Sequence, residues 1–239
     1  MKDQPAEPAD YCEWFLKSRD EDRWLASRYA QDAMRHRLVA LYVLLGELRR
    51  VPRAVSEPAL GEIRLQWWRD ALGEIRDARL PRAHPVVEAL ARADLSAAPI
   101  ETLIDTAIDA AARPLYEAHF TSADDLISWL AKIEGGIDAA AARLAGADAE
   151  IAAAACRGGS ALAAARDVWR LAPQLSDDVA ARAKAIYEEA REILAKAPPA
   201  ISPTLLHFSL TPVYLSRKGA AFPLVKRGRL FAAMATGKI

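Results

Sequence analysis

The chain has 239 residues, with 32 Lys and Arg against 32 Asp and Glu, so no net field favours nucleic acid or a polyanionic substrate. Its composition is 52% hydrophobic, rich in Ala and Leu and poor in Gly and β-branched runs, which predicts an all-α protein with a substantial core. Two distant cysteines, Cys12 and Cys156, give neither a disulfide framework nor zinc spacing and suit a reducing compartment. The first ten residues lack signal-peptide features, and no apolar stretch approaches the ~20 residues of a membrane span. The expectation is a cytoplasmic, intracellular protein.

In chain order, residues 1–9 read as a loose tail, and Asp10 with Glu13 has capping-box spacing for a short helix through Leu16. Residues 18–23 read as a charged turn, and Trp24, Leu25 and Tyr29 lead into a long helix. In that helix Leu38, Leu41, Tyr42, Leu45 and Leu48 recur at steps of three and four. Pro52 predicts an end or a kink. Ser56 is the expected cap of a second helix, with Pro58 in its first turn. Leu60, Ile63, Trp67, Ala71 and Ile75, widened by Leu65, Trp68 and Leu72, form an apolar arc of roughly 200°. Such an arc predicts burial on most sides. Arg64 projects into it and therefore calls for a partner or a polar cavity.

Residues 79–85 read as a loop, followed by a short helix through Arg92. Pro99 opens a helix to residue 113, and Ser122 with Asp125 gives a second capping box. Gly135 and Gly136 interrupt helical propensity without ending the helix. Residues 138–172 are dominated by Ala, which permits close packing. Ser176 is expected to cap a helix over 177–196, broken by Pro198 and Pro199. Ser202 and Pro203 open another, kinked by Pro212 and ended near Gly219. No strand pattern and no repeat is present. There is also no P-loop, dinucleotide glycine motif or nucleophile elbow.

The run ALY at 40–42, followed by SEPALGEIRLQWWRDAL at 56–72, resembles the squalene/phytoene synthase family. More narrowly it resembles a branch that includes a mitochondrial NADH dehydrogenase (complex I) assembly factor. The resemblance spans residues 10–218 and leaves 219–239 as a basic, apolar tail. It implies a single-domain isoprenoid (terpenoid) synthase-like bundle of roughly ten helices around a central cavity. The family presents two D-x-x-x-D motifs whose carboxylates hold Mg²⁺ against a prenyl diphosphate, since departure of diphosphate needs a hard cation with oxygen ligands.

Aligned on Ala40, Leu41 and Tyr42, the first aspartates fall at Arg49 and Arg53, with a third at Arg50. Aligned on Gly159, the second pair falls at Arg170 and Gln174, and the family's amide positions at Ala163 and Arg166. A slip in this Ala-rich region would gain only Asp167 as an acid. Guanidinium in place of carboxylate reverses the field on a dication and cannot deprotonate to relieve it. The expectation is therefore no catalytic residue, no metal ligand and no cofactor, with Mg²⁺ required only if the chain is an active head-to-head prenyltransferase. Arg49, Arg50, Arg53, Arg64, Arg166 and Arg170 are the candidates for binding a diphosphate or similar anion without metal. The bland reading of each is a salt-bridged side chain with its stem on an apolar face.

Asp70 and Arg64 read as members of a core salt bridge, Trp67 and Trp68 as core. Asp105 with Asp109, and Asp124 with Asp125, read as solvation and capping. His36, His84, His119 and His207 have no ligand spacing. After Glu192 there is no acidic residue, while seven Lys and Arg remain. Residues 214–234 are thus a candidate for contact with an anionic membrane surface. The resemblance implies an accessory or assembly factor whose partners are complex I subunits or assembly intermediates. Prenyl diphosphate or a lipid is the expected ligand class.

Overall fold

The structure is a computed structural model that describes residues 7–117 and 119–239, and it is helical throughout, with no strand among the described residues. This agrees with the all-α expectation. Backbone contacts divide the chain into two compact units, Met1–Glu117 and Ala118–Ile239.

The first unit contains α1 (Pro8–Arg19), α2 (Glu21–Ser27), α3 (Asp32–Arg50), α4 (Pro58–Arg76), α5 (Pro85–Arg92), α6 (Ala98–Ala110) and α7 (Arg113–Tyr116). Of the predicted tail, residues 1–6 lie outside the described residues. Pro8 and Ala9 already belong to α1, and Asp10 sits in its first turn rather than at its cap. Every residue from Leu38 to Leu45 is buried, so α3 is covered on all sides, packed against α1 and α5. Pro52 ends α3 as expected and occupies a 3₁₀ turn over Val51–Arg53.

The second apolar helix departs from expectation. Only Gly61, Leu65, Trp68, Ala71 and Leu72 of α4 are buried, a narrow stripe, while Ile63 remains 65% exposed. Arg64 lies on the same outer face as Leu60 and Trp67, so water solvates it and no buried partner is required. Asp70 is likewise exposed, accepting from Gln66 Nε2 at 2.7 Å, and Trp67 is only half-buried. The cap of α4 is Glu57, one residue past Ser56. Asp105 and Asp109 are more than solvated faces. They pair across helices with Arg76 at 2.9 Å and Arg69 at 2.7 Å, in exposed contacts of small individual worth.

The second unit contains α8 (Ala123–Leu130), α9 (Gly136–Leu144), α10 (Ala149–Leu171), α11 (Ser176–Leu194), α12 (Thr211–Ser216) and α13 (Pro223–Thr236). The Ser122 hydroxyl caps α8 by accepting from Asp125 N at 3.1 Å, and the Asp125 carboxylate reaches back to Thr121 N at 3.0 Å. One turn of π-helix, Ala131–Gly135, carries α8 into α9 through the two glycines. The Ala-rich stretch is two helices rather than one. Gly146, at φ +94°, ends the first, and the Asp148 carboxylate caps α10 by accepting from Ile151 N at 2.8 Å. Pro212 opens α12 after two 3₁₀ segments instead of kinking a longer helix, because its missing N–H is harmless in a first turn.

Small residues let α10 approach its neighbours closely. A Cβ on Gly135 would meet the Cys156 carbonyl, one on Gly158 the Phe208 ring, and one on Gly159 the Asp138 carboxylate. Asp138 and His207 are both fully buried and bonded at 3.0 Å. Gly159→Ala is expected to displace Asp138 and to cost about 1–3 kcal/mol. Urea denaturation of the variant and the parent would measure it. An unchanged midpoint would show that the helices separate without penalty.

Candidate functional site

At the C-terminal end of α3 the three aligned arginines have three different environments. Asp20 caps α2, accepting from Arg23 N at 3.4 Å, from Arg23 Nη1 at 2.7 Å and from Arg49 Nη1 at 2.9 Å. The Arg23 side chain is fully buried beneath the Tyr42 ring, its guanidinium 5.6 Å from the ring centre. Arg49 thus joins Arg23 and Asp20 in a largely buried charge cluster. The predicted charged turn at 18–23 falls at the junction of α1 and α2, where Asp20, Asp22 and Arg23 are buried while Ser18 and Arg19 are exposed. Arg50 donates to Glu47 at 2.7 Å and lies over the Phe15 ring. Arg53, exposed, lies in the 3₁₀ turn that Pro52 imposes, so it is not on the helix that carries Arg49.

Arg50 and Arg64 do come together. Both line a cavity of about 240 Å³ with Glu47, Val51, Trp67, Trp68 and His84. Trp67 and Trp68 meet edge to face at 4.9 Å, with the His84 ring 5.4 and 5.5 Å from them. Arg82 covers Trp67 and grips Glu74 with both fork nitrogens at 2.8 Å. His84 caps α5, its Nδ1 accepting from Val86 N at 3.3 Å, which leaves the proton of the neutral ring on Nε2. Burial holds its pKa below the ordinary value, and the Arg50 charge adds to the effect while Glu47 opposes it. The result is an aromatic-walled pocket with guanidinium donors and one carboxylate, suited to a small anion.

In the second unit Arg166 and Arg170, both on α10, converge on Asp167. Arg166 donates through Nη2 at 2.8 Å and through Nε at 3.1 Å, and Arg170 lies at 3.6 Å. Arg166 also approaches the buried Glu134 at 3.9 Å. Gln174 falls beyond the end of α10, exposed in a 3₁₀ turn, and Ala163 is buried. The sequence reading did not single out Asp20, Asp22, Arg23, Glu134 or Asp138, and it set His207 aside for want of ligand spacing. One signal was available: Glu134 and Asp138 have the i, i+4 spacing of a shared helix face, on either side of the glycine pair.

The sequence profile described as squalene/phytoene synthase matches residues 16–174, two thirds of the chain. The chain belongs to the squalene/phytoene synthase family. Its structure is similar to a crystal structure of a dehydrosqualene synthase in complex with ligand, at 15% identity over 97% of this chain and 96% of that chain, with a TM-score of 0.78. It is also similar to squalene synthase HpnC from Alicyclobacillus acidocaldarius, at 15% identity over 96% and 94% of the two chains, with a TM-score of 0.65. These likenesses show the isoprenoid synthase-like fold. A search of the curated proteins finds no match.

The family implies Mg²⁺. Of the five positions that the alignment on Ala40–Tyr42 and on Gly159 gives to the family's aspartates, four hold arginine (49, 50, 53 and 170) and one holds Gln174, side chains that do not fit a hard cation, and the nearby carboxylates Asp20, Glu47 and Asp167 bond guanidinium groups. No group of three or more metal-ligating side chains is assembled among the described residues.

Two outcomes are expected of this geometry. Asp20→Ala removes the carboxylate shared by Arg23 and Arg49 and should cost about 3 kcal/mol or more in a denaturation experiment. His84, with a lowered folded-state pKa, contributes stability that is present above the ordinary value of 6.5 and lost as pH falls below it. Melting temperature followed from neutral pH downward should therefore drop less in His84→Asn, which keeps a capping side chain but does not titrate. Parallel curves for the two proteins would contradict this.

Proposed function

We propose that this protein is a non-catalytic member of the squalene/phytoene synthase family that acts by binding, as an accessory or assembly factor. The observation that carries the reading is arginine at 49, 50, 53, 166 and 170, with the neighbouring carboxylates held in ion pairs. A dication and a diphosphate need those carboxylates uncommitted, and a guanidinium cannot become neutral to make room. The resemblance of the α4 segment to the complex I assembly-factor branch supports NADH dehydrogenase subunits or their assembly intermediates as partners. Such a factor would work inside the cell, at the inner face of the membrane that receives its target.

A second reading, metal-free binding of a prenyl diphosphate or similar anion, is favoured by the pocket that joins Arg50, Arg64, His84 and the two tryptophans. Guanidinium forks and an Nε2 donor bind phosphate oxygens without metal, and the indole walls accept an apolar chain. The two readings are compatible, because a ligand-loaded form can be the one a partner recognises.

Incubation with farnesyl or geranylgeranyl diphosphate and Mg²⁺ is expected to give no coupled product, and calorimetry should show no Mg²⁺-dependent binding. Heat that appears equally with and without Mg²⁺ and is lost in Arg50→Ala/Arg64→Ala would establish the metal-free site. Native affinity purification is expected to recover NADH dehydrogenase subunits. Product formation, or Mg²⁺-dependent binding, would overturn the non-catalytic reading. Consistent absence of those subunits would overturn the complex I role.

A further inference from the structure

The last helix has two faces that obey opposite rules. Leu230 and Ala233 are buried, and Arg229 Nε donates to the Ser209 carbonyl at 3.1 Å, which seats α13 on the segment Leu206–Leu210. On the other side Leu224, Arg227, Phe231 and Met234 follow one another at steps of three and four and share a face. Leu224 is 80% exposed, Phe231 66% and Met234 40%, and Phe222, just before the helix, is 65% exposed. A helix that had only to pack on its own unit would carry polar residues there.

Charge decides what covers this face. No acidic residue occurs between 193 and 239, while Arg217, its guanidinium 5.5 Å from the exposed Phe222 ring, and Arg227 are exposed beside or on the apolar face, and Lys238 follows the helix. A second copy of the chain would bring these like charges together. A helix of 14 residues, about 21 Å long, also offers less than the roughly 800 Å² per partner of a stable interface. An anionic lipid surface meets both demands, taking up the apolar side chains at the depth of the acyl boundary and pairing the cations with phosphates.

We propose that α13 is a membrane-docking helix that lies in the headgroup plane of an anionic bilayer, with Leu224, Phe231 and Met234 inserted and Arg217 and Arg227 at the lipid phosphates. Arg227 sits among the inserted residues, and its length lets the guanidinium reach back to the headgroups. No helix among the described residues is long and apolar enough to cross a membrane, so the contact is peripheral. The inference stands on this surface and does not require the accessory-factor reading. An active transferase would dock in the same way.

The test is sedimentation of the full chain with vesicles of phosphatidylcholine alone and of phosphatidylcholine mixed with phosphatidylglycerol. The parent is expected to sediment with the anionic vesicles only, and less so as salt is raised. Leu224→Ser/Phe231→Ser, which changes only exposed side chains, should weaken binding roughly tenfold or more with an unchanged circular dichroism spectrum. Arg227→Gln should weaken it less and reduce the salt dependence. Failure of the parent to bind anionic vesicles, or equal binding by the double variant, would overturn the proposal. So would lipid-free self-association of the parent that the double variant abolishes, since the face would then belong to a second copy.

Discussion

A guanidinium keeps its proton at any ordinary pH, so Arg23, withdrawn completely from water, forces the first unit to bury an anion beside it. Asp20 supplies the charge and also caps α2, which ties the local chain direction to the charge pair. The same carboxylate then takes Arg49 from the end of α3. One carboxylate therefore ties the start of α2 to the end of α3.

The second unit meets a related constraint with a different device. Glycine and alanine on α10 allow the neighbouring backbone close enough for Asp138 to reach His207 in the interior, and a π turn sets the register of the helix that brings Asp138 there. Glu134, also buried, rises from the same turn toward Arg166. Here too the acids are engaged with cations or imidazole. In both units the buried acids Asp20, Glu134 and Asp138 lie against guanidinium or imidazole groups.

Two surface features share one chemistry. The pocket of Arg50, Arg64, His84 and the tryptophans is cationic and aromatic, and α13 is cationic and apolar. Both suit anions that carry a greasy part, one at the scale of a small molecule and the other at the scale of a bilayer. The chemistry common to them is guanidinium against phosphate beside an apolar wall.

Much of this was legible from residue order. Leucine periodicity marked α3, Pro52 its end, and Ser122 with Asp125 the start of α8, because these effects act within one or two turns of backbone. The family was legible in ALY and the segment 56–72. Burial was less legible. Two helices with similar apolar periodicity had opposite fates: α3 is enclosed, while α4 leaves Leu60, Ile63 and Arg64 in water. Residues 18–23 read as a charged turn, and three of its charged residues, Asp20, Asp22 and Arg23, are buried. The Ala-rich stretch hid a helix boundary at Gly146. By itself the sequence determined the all-α class, the family the chain joins, and the helix ends set by local signals such as Pro52 and the Ser122–Asp125 box, since each is a property of neighbours along the chain. Only the tertiary structure decided which charges are buried and which acid each arginine meets, because those depend on what residues distant in sequence place against them.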